Sequence, residues 1–132
     1  MTVKLLIVEN DHTFRAHLTL HLRQAAVEVF ESGGEADSLA LLQAQTIDVA
    51  VLSLNGLKRE GLSLLQFIKK NHPGIEVITL TGSNQVDLSI EGMKLGAFDD
   101  FLIPFELDSL IGSIRDAYRK KTENMNTKGG CQ

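Results

Sequence analysis

A chain of 132 residues, 43% apolar and 23% charged, has the size and composition of one globular domain with its own core, which excludes disordered and collagen-like classes. Its net charge of −4 is unevenly spread: Arg115, Arg119, Lys120, Lys121 and Lys128 against Asp116 and Glu123 give residues 115–132 a charge of +3 and leave −7 for the rest. A body this acidic repels phosphate backbones, so direct binding to nucleic acid is not expected. The single cysteine, Cys131, cannot staple the fold and fits a reduced, cytoplasmic setting. The apolar run at the N-terminus is too short for a signal peptide or a membrane span.

In chain order, 3–8 is a buried strand running into Glu9-Asn10-Asp11. Asn10 or Asp11 can cap the helix that follows, whose Phe14, Leu18, Leu22 and Ala25 fall at helical spacing. Val27-Glu28-Val29-Phe30 alternates as a short strand closed by Ser32-Gly33-Gly34. Residues 35–44 form a modest helix with acid in its first turn. The stretch 47–55 holds six apolar residues in its first eight and so reads as a central strand covered on both faces. It ends in Ser53 and Asn55, followed by a loop over 56–61. Ligands of open α/β sheets bind past the carboxyl ends of strands, so this is the first place to look for function.

A helix over 61–70 carries Leu62, Leu65 and Ile68 inward and breaks at Asn71-His72-Pro73-Gly74. Residues 75–80 form the fourth strand, ending at Thr81-Gly82-Ser83. The helix 84–95 takes Val86, Ile90 and Met93 as its apolar stripe, with Gly92 costing about 1 kcal/mol relative to Ala. The fifth strand, 98–103, precedes Pro104 and a helix from Glu106 with Leu107, Leu110, Ile111, Ile114 and Tyr118 on one stripe. Residues 121–132 lack an apolar period and read as a disordered tail after a domain of residues 1–120. Five strands alternating with five helices imply right-handed crossovers and a three-layer α/β/α fold on a parallel sheet.

The order and wording of these elements resemble the receiver domain of two-component response regulators over residues 3–119. The resemblance rests on Leu-Leu-Ile-Val-Glu-Asn-Asp at 5–11, Val-Leu-Ser-Leu-Asn at 51–55 and Glu-Gly-Leu-Ser-Leu-Leu at 60–65. Ile-Thr-Leu-Thr-Gly at 78–82 and Met-Lys-Leu-Gly-Ala-Phe-Asp-Asp-Phe-Leu-Ile-Pro-Phe at 93–105 complete it. It implies a flavodoxin-like (βα)5 fold with strand order 2-1-3-4-5 and a cis peptide at Ile103–Pro104. Such domains accept a phosphoryl group from a histidine kinase onto an aspartate after strand 3. An acid pair after strand 1 helps hold Mg²⁺, while a hydroxyl after strand 4 and a lysine before the strand-5 proline contact the phosphoryl group.

By the resemblance, the acid pair falls on Glu9 and Asn10, the phosphoacceptor on Ser53 and the metal's carbonyl ligand on Asn55. The hydroxyl falls on Thr81, the lysine on Ile103 and the usual aromatic switch on Asp100. Asn10, Ser53 and Ile103 thus lack the charge the family carries there. One surviving carboxylate, with Asp11 committed to capping, makes Mg²⁺ binding weak or absent and leaves no other metal or cofactor expected. Phosphoryl transfer depends on positioning and on neutralising spreading charge, and neither is supplied. No histidine or lysine stands where it could take the Ser53 proton. The losses are mutually consistent, since a buried lysine without its aspartate would be an uncompensated charge.

Other residues have plainer readings. His17 and His21, at i and i+4, have a metal-binding spacing but no third ligand nearby, and read as half-buried packing histidines. Asp100 is expected to point to solvent. Thr81 is either a remnant switch hydroxyl or a strand-end residue satisfying backbone. Lys58-Arg59 is a solvated loop.

The leading expectation is a stand-alone, non-enzymatic pseudo-receiver read by a signalling protein, a histidine kinase or another regulator. The resemblance offers as its docking or homodimer face the fourth helix, fifth strand and fifth helix of the family fold. Here these present Gln85, Asp87, Leu88, Glu91, Lys94, Asp99, Asp100 and Arg115. With no output domain after it, the chain alone is not expected to bind DNA. The alternative is a phosphorelay receiver with atypical phosphorylation at Ser53 or a neighbouring acid. A flavin-binding reading fails because Glu9-Asn10-Asp11 repels the cofactor's phosphate.

Overall fold

Apolar residues on both faces of five short strands fix the centre of the protein. A computed structural model describes the backbone of residues 2–130 and the side chains of residues 2–123. The strands are β1 (Val3–Val8), β2 (Val27–Ser32), β3 (Val49–Ser53), β4 (Glu76–Gly82) and β5 (Asp99–Ile103). They pair in parallel in the order β2-β1-β3-β4-β5, the expected flavodoxin-like arrangement. The Ile103–Pro104 peptide is cis.

Among the described residues six helices accompany the sheet: α1 (His12–Arg23), α2 (Glu35–Ala44), α3 (Leu54–Leu57), α4 (Arg59–Asn71), α5 (Val86–Lys94) and α6 (Leu107–Gly130). The pleat divides the core in two. Leu5, Ile7, Val49, Val51, Ile78 and Leu80 pack on one face with Leu18 and Leu22 of α1 and Leu110 and Ile114 of α6. Leu6, Val8, Ala50, Leu52 and Val77 pack on the other with Leu42 of α2 and Leu64, Leu65 and Ile68 of α4. At about 1.5–3 kcal/mol for each fully buried large aliphatic side chain, these two layers supply most of the driving force for folding.

Three departures from the sequence reading have local causes. Residues 54–57 are helical where the end of the strand and the start of a loop were expected, and Lys58 turns the chain into α4 with φ of +53°; a lysine in that conformation leaves no sequence signal. Second, β2 runs two residues past Phe30, because Ile7 and Val8 of β1 pair with Glu31 and Ser32. Third, α6 continues through 121 to Gly130 where a tail was expected. Lys121 is held in it by an ion pair with the buried Asp48, whose other oxygen accepts from the Lys4 backbone N–H at 2.9 Å. Cys131 and Gln132 lie outside the described residues.

Candidate functional site

The carboxyl ends of β1, β3, β4 and β5 converge at one edge of the sheet, where Glu9, Ser53, Thr81 and Ile103 sit. Glu9 and Ser53 are 2% and 1% exposed. The Ser53 hydroxyl donates to Glu9 Oε1 at 2.8 Å, and the Asp11 N–H donates to Glu9 Oε2 at 3.1 Å. Asp11 itself caps α1, its Oδ1 accepting from the Phe14 N–H at 3.1 Å, as the sequence indicated. Both oxygens of Glu9 are therefore engaged by protein donors.

Asn10 closes the same edge from outside, its Nδ2 donating to the Gly56 carbonyl at 3.1 Å. This approach requires glycine: a Cβ at residue 56 would lie 2.0 Å from Asn10 Oδ1 and 2.8 Å from Glu9 Oε2. The Asn55 carbonyl accepts from Gln85 Nε2 at 3.4 Å and from Lys58 Nζ at 3.5 Å. Lys58 itself stays exposed, as the sequence reading had it. What remains open is a shallow cleft of about 300 Å³, with Phe14 and Ile103 on its apolar side.

Thr81 and Asp100 do not match the sequence reading. Asp100 was expected in solvent, yet its carboxylate is half-buried and accepts from three hydroxyls. Thr79 Oγ1 donates at 2.6 Å, Thr81 Oγ1 at 2.9 Å and Ser89 Oγ at 2.7 Å. The cause is register: Thr79 stands beside Asp100 on the neighbouring strand, and buried hydroxyls require an acceptor. Thr81, fully buried, thereby commits its hydroxyl to Asp100. His17 and His21 are exposed rather than half-buried. They flank an apolar groove formed by Leu18, Ile103, Pro104 and Phe105, because α1 turns Leu18 and Leu22 to the core instead.

The residues offered as a docking face divide. Asp87 and Lys94 are exposed, and Glu91 pairs with Arg59 of α4 at 2.8 Å. Gln85 accepts from the Gly82 N–H at 2.8 Å. Leu88 does not belong to the face: it is buried with Leu54 and Leu62. Asp99 turns inward to accept from Ser113 of α6 at 2.9 Å. Arg115 lies at the opposite end of the sheet, donating to the Ala25 carbonyl at 3.4 Å. In their place stand Val86, Ile90 and Met93 of α5 and Leu102 of β5, exposed by 57%, 51%, 45% and 52%. The sequence held the signal for the three α5 residues as the apolar i, i+4, i+7 stripe of its helix, but they were not offered as part of the docking face.

Comparison with known proteins points the same way as the geometry. The family profile described as "Response regulator receiver domain" matches residues 5–115. The DNA-binding transcriptional regulator NtrC of Salmonella typhimurium is 32% identical over 113 residues, covering 84% of this chain and 24% of that protein. A putative NtrX-like response regulator of Rickettsia felis is 26% identical, covering 96% of this chain and 30% of that protein. The chain thus spans about a quarter to a third of the length of these relatives. Among solved structures, a response regulator receiver domain protein of Clostridium thermocellum has a TM-score of 0.84 at 28% identity, covering 91% of this chain and 97% of that one. The fold alone is shared, at a TM-score of 0.90 and 22% identity, with NtrX of Brucella abortus, which covers 97% of this chain and is itself covered to 30%.

Proposed function

The chain belongs to the response regulator receiver domain family of two-component signalling, and from that premise we propose that it is a pseudo-receiver: a cytoplasmic, non-enzymatic interaction module whose phosphorylation pocket is closed by its own hydrogen bonds. The observation that carries this reading is the buried Ser53–Glu9 bond at 2.8 Å, at the two positions that resemblance gives to the phosphoacceptor and the first metal-binding acid. The Ser53 proton is committed to Glu9, and each Glu9 oxygen already holds a protein donor, which supports a pocket occupied by its own contacts.

Mg²⁺ takes near-octahedral oxygen ligands, usually one or two carboxylates plus substrate oxygens. The donor set here does not fit it. Glu9 already accepts two hydrogen bonds, Asp11 is a helix cap, and the Asn55 carbonyl faces two N–H donors. Among the described residues no three His, Cys, Asp or Glu side chains converge as a metal site. Ile103, lining the cleft in place of the family's lysine, offers no charge to a phosphoryl oxygen.

Receiver domains work with histidine kinases or other regulators. The surface that supports a docking role here is the patch of Val86, Ile90, Met93 and Leu102, because exposed apolar side chains grouped on one face mark interaction sites. Its occupant is a second copy of the chain or a signalling protein. Among the described residues no helix is long and apolar enough to cross a membrane.

One feature favours the alternative of phosphorylation at Ser53: Glu9 is placed to take its proton. Burial and charge stand against it, since a phosphoryl group would arrive beside a carboxylate with no cation to offset it. Incubating the protein with acetyl phosphate and Mg²⁺ and measuring its intact mass separates the two. The mass is expected to stay unchanged. A species about 80 Da heavier in appreciable yield, lost in Ser53→Ala, would establish the alternative instead.

A further inference from the structure

At the end of the sheet opposite Ser53, the first residues of β1 and β2 and one face of α6 enclose a cleft of about 290 Å³. Its floor is apolar, made by the buried Val3 and Val27 with Ala25 beside them. Its wall is Arg115, Tyr118, Arg119 and Thr122, at i, i+3, i+4 and i+7 and therefore on one face of the helix. Two arginines thus line a cleft with an apolar floor, in a protein whose remaining charge is strongly acidic.

Neither arginine is tied up by a strong partner. Arg115 makes a 3.4 Å contact with the Ala25 carbonyl. Arg119 pairs with Asp116 at 3.1 Å, with both side chains more than half exposed, an arrangement that holds a guanidinium only weakly. A second and independent feature lies at the lip of the cleft. Ala26 has φ of +60°, a left-handed conformation that alanine adopts at a cost and that glycine would adopt freely. Strained residues of this kind concentrate where ligands are held.

We propose that this cleft is a second binding site, for a small organic anion: a carboxylate or phosphate monoester head on an apolar body of about ten heavy atoms. The guanidinium forks match such a head bidentately, and Val3, Ala25 and Val27 receive the body. The volume lies at the small end of the range for ligand pockets, about 300–1,000 Å³, which excludes a dinucleotide or a large ring system. The site shares no residue with the Ser53 pocket, so it stands or falls independently of the pseudo-receiver reading.

The full chain carries one tyrosine and no tryptophan, so its intrinsic fluorescence reports on Tyr118 alone. Titration with sodium octanoate is followed by that fluorescence. Octanoate, phenyl phosphate and inorganic phosphate are each followed by the amide NMR shifts of Val3, Ala26 and Thr122. Octanoate or phenyl phosphate is expected to saturate with a Kd below about 5 mM, and the tighter of the two identifies the head group. Arg115→Gln and Arg119→Gln, both at exposed positions that leave the fold intact, are expected to weaken binding about tenfold each. Equal shifts from inorganic phosphate would reduce the site to a bare anion patch and overturn the proposal. So would unchanged affinity in both variants, or no saturation by either organic anion up to about 20 mM.

Discussion

Asp100 holds three hydroxyl donors from two elements, Thr79 and Thr81 of β4 and Ser89 of α5. Removing the carboxylate leaves the fully buried Thr81 hydroxyl without an acceptor and Thr79 with only its 3.4 Å contact to the Asp99 carbonyl, at a desolvation cost. Asp100→Ala is therefore expected to lower unfolding stability by about 1–3 kcal/mol in urea titration, with Asp100→Asn losing less because one oxygen remains to accept. A loss in Asp100→Ala indistinguishable from zero would mean that the three hydroxyls find other partners. The same cluster explains why Thr81, the residue that resemblance places at the phosphoryl-contacting position, has its proton directed along the sheet. Asp100 illustrates the limit of reading residues singly: its identity suggests solvent, and only the strand register brings Thr79 alongside.

At the scale of elements, α5 and α6 carry the informative contrasts. In α5, Gly92 is buried, and a Cβ there would meet Leu54 at 3.5 Å and Leu65 and Thr79 at 3.8 Å, all ordinary contact distances. Gly92→Ala is expected to stabilise by about 0.5–1 kcal/mol through helix propensity and reduced unfolded-state freedom, raising Tm by about 3 °C. A fall in Tm would show that α5 needs the glycine for closer packing than these distances allow. In α6, Lys121 neutralises Asp48, and both side chains are largely buried at 14% and 11% exposed. Lys121→Ala strands that carboxylate and is expected to cost about 3 kcal/mol, seen as a lower urea midpoint with an unchanged m-value. The charge pattern of residues 115–132 was visible beforehand as a basic end. Its pairing partner, 73 positions away in sequence, was not.

For the whole molecule, three surfaces are distinguished: a self-satisfied pocket at one end of the sheet, an arginine-walled cleft at the other, and an apolar patch along α5 and β5. If the patch is the docking surface, a charge at its centre acts on association and spares the fold. Ile90→Glu, at a position 51% exposed, is expected to keep its unfolding stability within about 0.5 kcal/mol. In sedimentation velocity the native chain is expected to self-associate as its concentration rises, and the variant is expected to lose that association. A native chain that sediments as a monomer at all concentrations would leave a heterologous signalling protein as the occupant.

Fold class and the strand ends where the pocket was sought were legible because they rest on local quantities: apolar runs that must be covered on both faces, breaks at glycine and proline, and polar residues at strand ends. The strand order came only through the resemblance to receiver domains. That Asn10, Ser53 and Ile103 carry no charge was legible as residue identity, and only the resemblance to receiver domains gave those positions a meaning. What the tertiary structure alone decided was every choice between equivalents. Residues 86–95 hold two apolar stripes at helical spacing, Val86-Ile90-Met93 and Leu88-Gly92-Leu95, and packing against Leu54, Leu62 and Leu65 buries the second while the first faces water. Periodicity supplies both stripes equally. Which one turns inward depends on neighbours distant in sequence, as does the acceptor that each buried hydroxyl finds.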